Sequence, residues 1–187
     1  MTLTIGGTIG VVDEPAITGA WFSEETVRSA WTRALNAKPS MTLVDHVGNV
    51  LARSDDGSLN VGLQKEWIVA QAELADNWVT SIAAERVRSG AYAGLSVAYR
   101  VRTETWSNDF TRREVTGIDL DGSTISLEWS DSTYRARLRL ERRGRTTLRE
   151  RRALAGNLLG HGIAEMHAGL TVYTEAELKA LEKAGTR

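Results

Sequence analysis

Hydrophobic and polar positions alternate over much of the chain. In "GLSVAYRV", residues 94–101, Leu95, Val97, Tyr99 and Val101 fall on one face and Ser96, Ala98 and Arg100 on the other. That is the period-two pattern of a half-buried strand. "MTLTIGGTIGVV", "MTLVDH", "VGNVLARS" and "SLNVGLQKEWIVAQAEL" read as further strands, with "DDG" as a turn. Two segments carry helical spacing instead. In "SEETVRSAWTRALNA", Val27, Ala30, Trp31, Ala34 and Leu35 form one stripe; Ser23 is the expected N-cap and Pro39 the stop. In "DNWVTSIAAERVRSG", Asp76 or Asn77 caps a stripe of Trp78, Val79, Ile82, Ala83 and Val87, and Gly90 ends it.

After a loop around "SNDF", the segments "REVTGIDL", "STISLEWS" and "YRARLRLERR" read as strands joined by "DG" and "SDS" turns. The tail changes character. "TTLRERRALAGNLLGHGIAEMHAGL" reads as helix interrupted by glycines, and "TEAELKALEKAG" as a helix with Thr174 and Glu177 as a capping box. The order predicts an α+β fold: a mixed, mostly antiparallel sheet or small barrel with helices packed outside. Residues 1–145 form the expected main domain and residues 146–187 a C-terminal helical segment.

Composition narrows the chemistry. With 187 residues the chain is large enough for a self-sufficient core. It has no cysteine, which excludes disulfides and thiolate metal sites, and its three histidines are too few for a histidine-rich metal centre. The net charge of -1 gives no reason to expect nucleic acid as a partner. No basic flank precedes a long apolar run at the N-terminus, and no stretch approaches a membrane span, so the expected setting is cytosolic.

Serine hydrolysis needs a nucleophile, a proton acceptor, a group to hold that acceptor, and donors for the oxyanion. Ser96, on a small and polar strand face, is the candidate nucleophile. His46, at a strand end beside Asp45, is the candidate base; His161 and His167 lie in the glycine-broken tail. The local string "GLSVA" is not a nucleophile elbow, and there is no "HExxH", P-loop or "GxGxxG".

Residues 5–138 resemble the prohead maturation proteases of tailed bacteriophages. The resemblance is carried by Gly19-Ala20-Trp21, the helix that follows, "LVDH", the "NVLARSDDGSLNV" hairpin, and "VRSGAYAGLSVAYRV" in place of the segment that bears the family's nucleophile. It implies Ser96 as nucleophile and His46 as general base. It also implies a β-barrel wrapped by helices, related to the herpesvirus assemblin proteases. The implied activity is a serine endopeptidase of procapsid maturation in the host cytoplasm. Its partners would be the major capsid protein, the scaffold and further copies of itself, with no cofactor and no membrane.

A third residue after the serine supports the histidine in such enzymes. The family shows an acid, then "vSlv", then a proline-alanine pair; here Thr124 precedes "ISL" and "SDS" replaces the proline. Asp121 is the expected third member, with Asp119 or a tail histidine as alternatives. These departures leave open a second reading, a catalytically inactive homologue acting in capsid assembly or scaffold interaction. Residues 135–152 hold nine arginines against Glu141 and Glu150. They read either as a solvated face or as a contact surface for an acidic partner, and Arg135 and Arg137 as possible organisers of the oxyanion site.

Overall fold

The computed structural model describes residues 3–15, 22–129, 147–157, 161–166, 171–174 and 177. The elements in order are β1 (Leu3–Val11), β2 (Ser23–Thr26), α1 (Arg28–Asn36), β3 (Met41–Val44), β4 (Val50–Arg53), β5 (Leu59–Gln64), β6 (Trp67–Leu74), α2 (Trp78–Arg88), β7 (Tyr92–Trp106), β8 (Arg112–Trp129), α3 (Leu148–Asn157), β9 (His161–Met166) and β10 (Thr171–Thr174). This is the expected α+β class, rich in strands. The strands form two sheets, ordered β10-β1-β6-β5 and β4-β3-β8-β7-β9, with β2 also on β8. Among the described residues the sheets do not close into a barrel, so the barrel expectation is corrected to two sheets. Their inner faces share one core, in which Ile5, Ile9, Ile68 and Ala72 from one sheet join Leu43, Leu95, Val97, Ile125 and Leu127 from the other.

The hydrophobic alternation of β7 holds: Leu95, Val97, Tyr99 and Val101 are buried, Ser96 is half-buried, and Ala98 and Arg100 are exposed. The second sheet is mixed, because β2 and β3 run parallel to β8 while β4, β7 and β9 pair antiparallel.

The first helix starts later than its sequence suggested. Ser23, the expected cap, lies in β2, and α1 begins after Val27, which makes no side-chain cap. The reason is tertiary. Glu24 is buried against Arg113 of β8, with Arg113 Nη1 donating to Glu24 Oε2 at 2.8 Å and Tyr99 Oη donating to Glu24 Oε1 at 2.7 Å. Arg113 also pairs with Glu104. Two carboxylates thus share one guanidinium that is 1 % exposed. Burial raises the Glu24 carboxyl above its ordinary range, against the lowering by Tyr99 and Arg113.

α2 begins at the expected cap. Asn77 Oδ1 accepts from the amides of Val79 and Thr80, and the Thr80 hydroxyl completes a capping box. Gly90 follows the helix with φ +75°, the left-handed conformation of a terminating glycine. The buried stripe is rotated from the expected one. Thr80, Ala83, Ala84 and Val87 face inward, whereas Trp78 and Ile82 are exposed. Small side chains let the helix lie close to the sheet, and the larger ones are left outside. Asn77→Ala is expected to cost about 1 kcal/mol, read as a lower urea midpoint with an unchanged slope.

Two further corrections concern β8 and the tail. The "DG" at residues 121–122 is not a turn between strands but a bulge within β8: the β7 register passes from Ala98↔Thr124 to Arg100↔Asp119. Gly122, at φ +72°, supplies the left-handed residue the bulge needs. In the tail, α3 matches the helical reading, but 161–166 and 171–174 are strands. β9 pairs with β7 and β10 with β1, so the segment extends both sheets and is not wholly helical. Of the expected final helix, only Glu177 and its cap Thr174 are described; the arginine-rich segment at 135–146 is outside the described residues.

Candidate active site

Four adjacent strands meet in one transverse row. Val44 of β3 lies opposite Ser126 of β8, Ser126 opposite Ser96 of β7, and Ser96 opposite Glu165 of β9. Directly opposed residues share a face, so Ser96 and Ser126 project together. Thr124 and Glu128, two residues to either side of Ser126, project with them. Leu95, Val97, Ile125 and Leu127 fill the opposite, core face. The strand thus anchors Ser96 by its apolar neighbours and leaves its hydroxyl half-exposed.

That hydroxyl donates to Glu128 Oε1 at 2.5 Å. The distance lies in the range of a charge-assisted O–H···O⁻ bond. Glu128 is paired with Gly94. With no side chain opposite, the carboxylate is free to lean diagonally across the strands to Ser96. Sequence reading missed Glu128. The signal was the Thr124-Ser126-Glu128 alternation, but only the register places that face beside Ser96.

His46 sits in the turn just past β3 and is exposed. Asp45, buried, builds this turn. Its Oδ1 accepts from the amides of Val47 and Asn49 at 3.0 and 2.8 Å, and its Oδ2 from Asn49 Nδ2 at 2.8 Å. Asp45 therefore fixes the backbone that presents His46. The imidazole stands edge-on to Trp129, centroids 5.6 Å apart. Trp129 packs on Tyr92 at 4.6 Å, and the Arg86 guanidinium lies over both rings while Nη1 donates to Tyr92 Oη at 2.9 Å. No hydrogen bond joins His46 to Ser96 in this structure; both sit toward the same end of the β3–β8–β7 array.

Asp121 and Asp119 are not brought there. Asp121 Oδ1 accepts from the amide of Ser40, just before β3 and at the end away from His46. Asp119 lies opposite Arg100 in β7, four residues from Ser96, or about 13 Å along an extended strand. It accepts from the Asp121 amide and pairs with Arg102. These two contacts, the amide first, hold its carboxyl below the ordinary range. The physical reason for both placements is the bulge, which turns 119–122 toward the far end of β3. Of the tail histidines, His161 has its backbone opposite Arg100, while His167 is outside the described residues, as are Arg135 and Arg137. Among the described residues no group of three or more His, Asp or Glu converges as a metal site. Among them, too, no helix is long and apolar enough to cross a membrane.

One comparison assigns the chain to a family. The model of the caudovirus prohead serine protease family matches residues 2–126. The chain belongs to that family, which is one of serine peptidases acting in phage capsid maturation. The match contains His46 and Ser96 and ends two residues before Glu128. No curated protein and no solved structure matches the chain.

Proposed function

We propose that this protein is an active serine endopeptidase that cuts scaffold and capsid-protein segments inside an assembling procapsid, with Ser96 as nucleophile and His46 moving protons at the same scissile bond. The observation that carries this reading is the Ser96 hydroxyl. It is held on a rigid strand, half-exposed, and hydrogen-bonded to a carboxylate at 2.5 Å. A strand pinned by buried Leu95 and Val97 keeps the nucleophile in place, as a reacting group requires. His46, on a turn fixed by Asp45, reaches the same end of the array from β3, two strands from β7. Self-association within the procapsid belongs to the same reading, since enzyme and substrate would be confined together in the shell.

The rival, an inactive homologue used for assembly, gives the two side chains no joint role. Purified chain mixed with the capsid and scaffold proteins of the same phage separates the two readings. New N-termini, found by mass spectrometry, are expected with the wild type. His46→Ala is expected to lose cleavage by at least about a hundredfold, and His46→Ala with Ser96→Ala to be little worse than Ser96→Ala alone, because members of one catalytic unit are not additive. Losses that multiply would show that the two residues do not act together.

A further inference from the structure

Resting on the reading of Ser96 as nucleophile and His46 as its base, we propose that Glu128 is an inhibitory latch: in the free chain its carboxylate holds the Ser96 hydroxyl away from His46, and the pair works only when that bond opens. General-base catalysis needs the hydroxyl and the imidazole within hydrogen-bond reach of each other. Many resting catalytic pairs are simply loose, but this hydroxyl is not. It donates to Glu128 Oε1 at 2.5 Å, the length of a bond to a charged acceptor. A serine hydroxyl has one proton to donate. While Glu128 receives it, His46 does not.

The next residue along β8 engages the other half of the pair. The His46 ring stands edge-on to Trp129. Trp129 is itself braced: it packs on Tyr92, the Arg86 guanidinium lies over both rings, and Arg86 Nη1 donates to Tyr92 Oη. Consecutive residues of one strand thus hold nucleophile and base separately. Strand order favours Glu128 in the competition for the hydroxyl. β8 pairs directly with β7, whereas His46 follows β3 on the far side of β8. Gly94, opposite Glu128, puts no side chain in the carboxylate's path. Only the fraction of chains with the bond open can react, so the latch scales the rate down by that fraction.

A small fluorophosphonate probe tests this on the full chain, because it reports the nucleophile without the contacts of a protein substrate. Labelling of Ser96 is timed by peptide mass spectrometry, beside melting temperature and cleavage of the capsid protein. Glu128→Ala removes the acceptor and is expected to label about tenfold faster or more, the worth of a hydrogen bond to a charged group. Glu128→Gln keeps a neutral acceptor and is expected to label at a rate between the two; it carries the comparison if Glu128→Ala melts early. Adding His46→Ala to either variant is expected to abolish the gain, because the freed hydroxyl then has no base. Labelling that is unchanged or slower in the folded Glu128 variants, beside a wild type that labels, overturns the latch and leaves the protease reading intact. So does a gain that survives His46→Ala. If neither the wild type nor the Glu128 variants label at Ser96 or cut the capsid protein, the protease reading falls and the latch with it.

Discussion

Ser96→Ala is expected to abolish cleavage of the capsid and scaffold proteins while leaving the fold within about 1 kcal/mol of the wild type. The activity loss follows from the chemistry. Without the hydroxyl there is no acyl-enzyme, and a serine peptidase lacking its nucleophile falls by about six orders of magnitude in turnover. The small stability cost follows from the packing. Ser96 is half-buried and its hydroxyl bonds to a half-buried carboxylate. Alanine keeps the methylene that meets the sheet, and Glu128 retains access to water, so no charge is left buried. Melting followed by circular dichroism, beside gel-based cleavage of the capsid protein, reads both outcomes. A variant that folds and still cuts would remove Ser96 from the mechanism.

The largest stability effect is expected far from the nucleophile's face. Arg113→Met is expected to destabilise the protein by about 3–5 kcal/mol at neutral pH. Arg113 is 1 % exposed and is the shared partner of Glu24 and Glu104. Its guanidinium also lies over Trp106, 5.6 Å from the ring centroid. Methionine fills much of the volume but leaves two carboxylates facing each other in a desolvated site. The penalty carries a pH signature. Burial already raises Glu24 above its ordinary value of 4.5, so in that raised window the folded state binds more protons than the unfolded chain. Stability from this group is therefore fully present below 4.5 and is lost as pH rises through the folded value. Removing Arg113 removes an interaction that lowers this pKa, so the window extends upward. The destabilisation read from urea midpoints is expected to be larger at pH 7 than at pH 4.5. An equal loss at both pH values would mean that packing, not charge, holds β2 to β8.

What the chain made legible follows from how local the signal was. The alternation in "LSVAYRV" and the cap at Asn77 are local, and both are found where the pattern put them. β2 was not legible, because "SEET" has only one strand-favouring side chain, Thr26, and reads as the acidic start of a helix. It is a strand because β8 pairs with it and because Glu24 finds Arg113, 89 residues away. The strands at 161–166 and 171–174 were hidden in a glycine-rich tail whose sheet partners, β7 and β1, are distant in sequence. At the site, Ser96 and His46 were legible as residue types on a strand and at a strand end. Asp121 was misplaced because a bulge inside one long strand looks, in sequence, like a turn between two. Glu128 was missed for a related reason: a polar position in "ISLEW" gains meaning only when the β7–β8 register sets it beside Ser96.

The central claim, that this family member cuts capsid protein through Ser96, is tested most directly by intact mass. The major capsid protein is co-produced with the chain and weighed from assembled procapsids. The account predicts a capsid protein shortened by a discrete N-terminal segment with the wild-type chain, and full-length capsid protein with Ser96→Ala. Full-length capsid protein in both, from procapsids shown to contain the chain, or the same shortening in both, would contradict it.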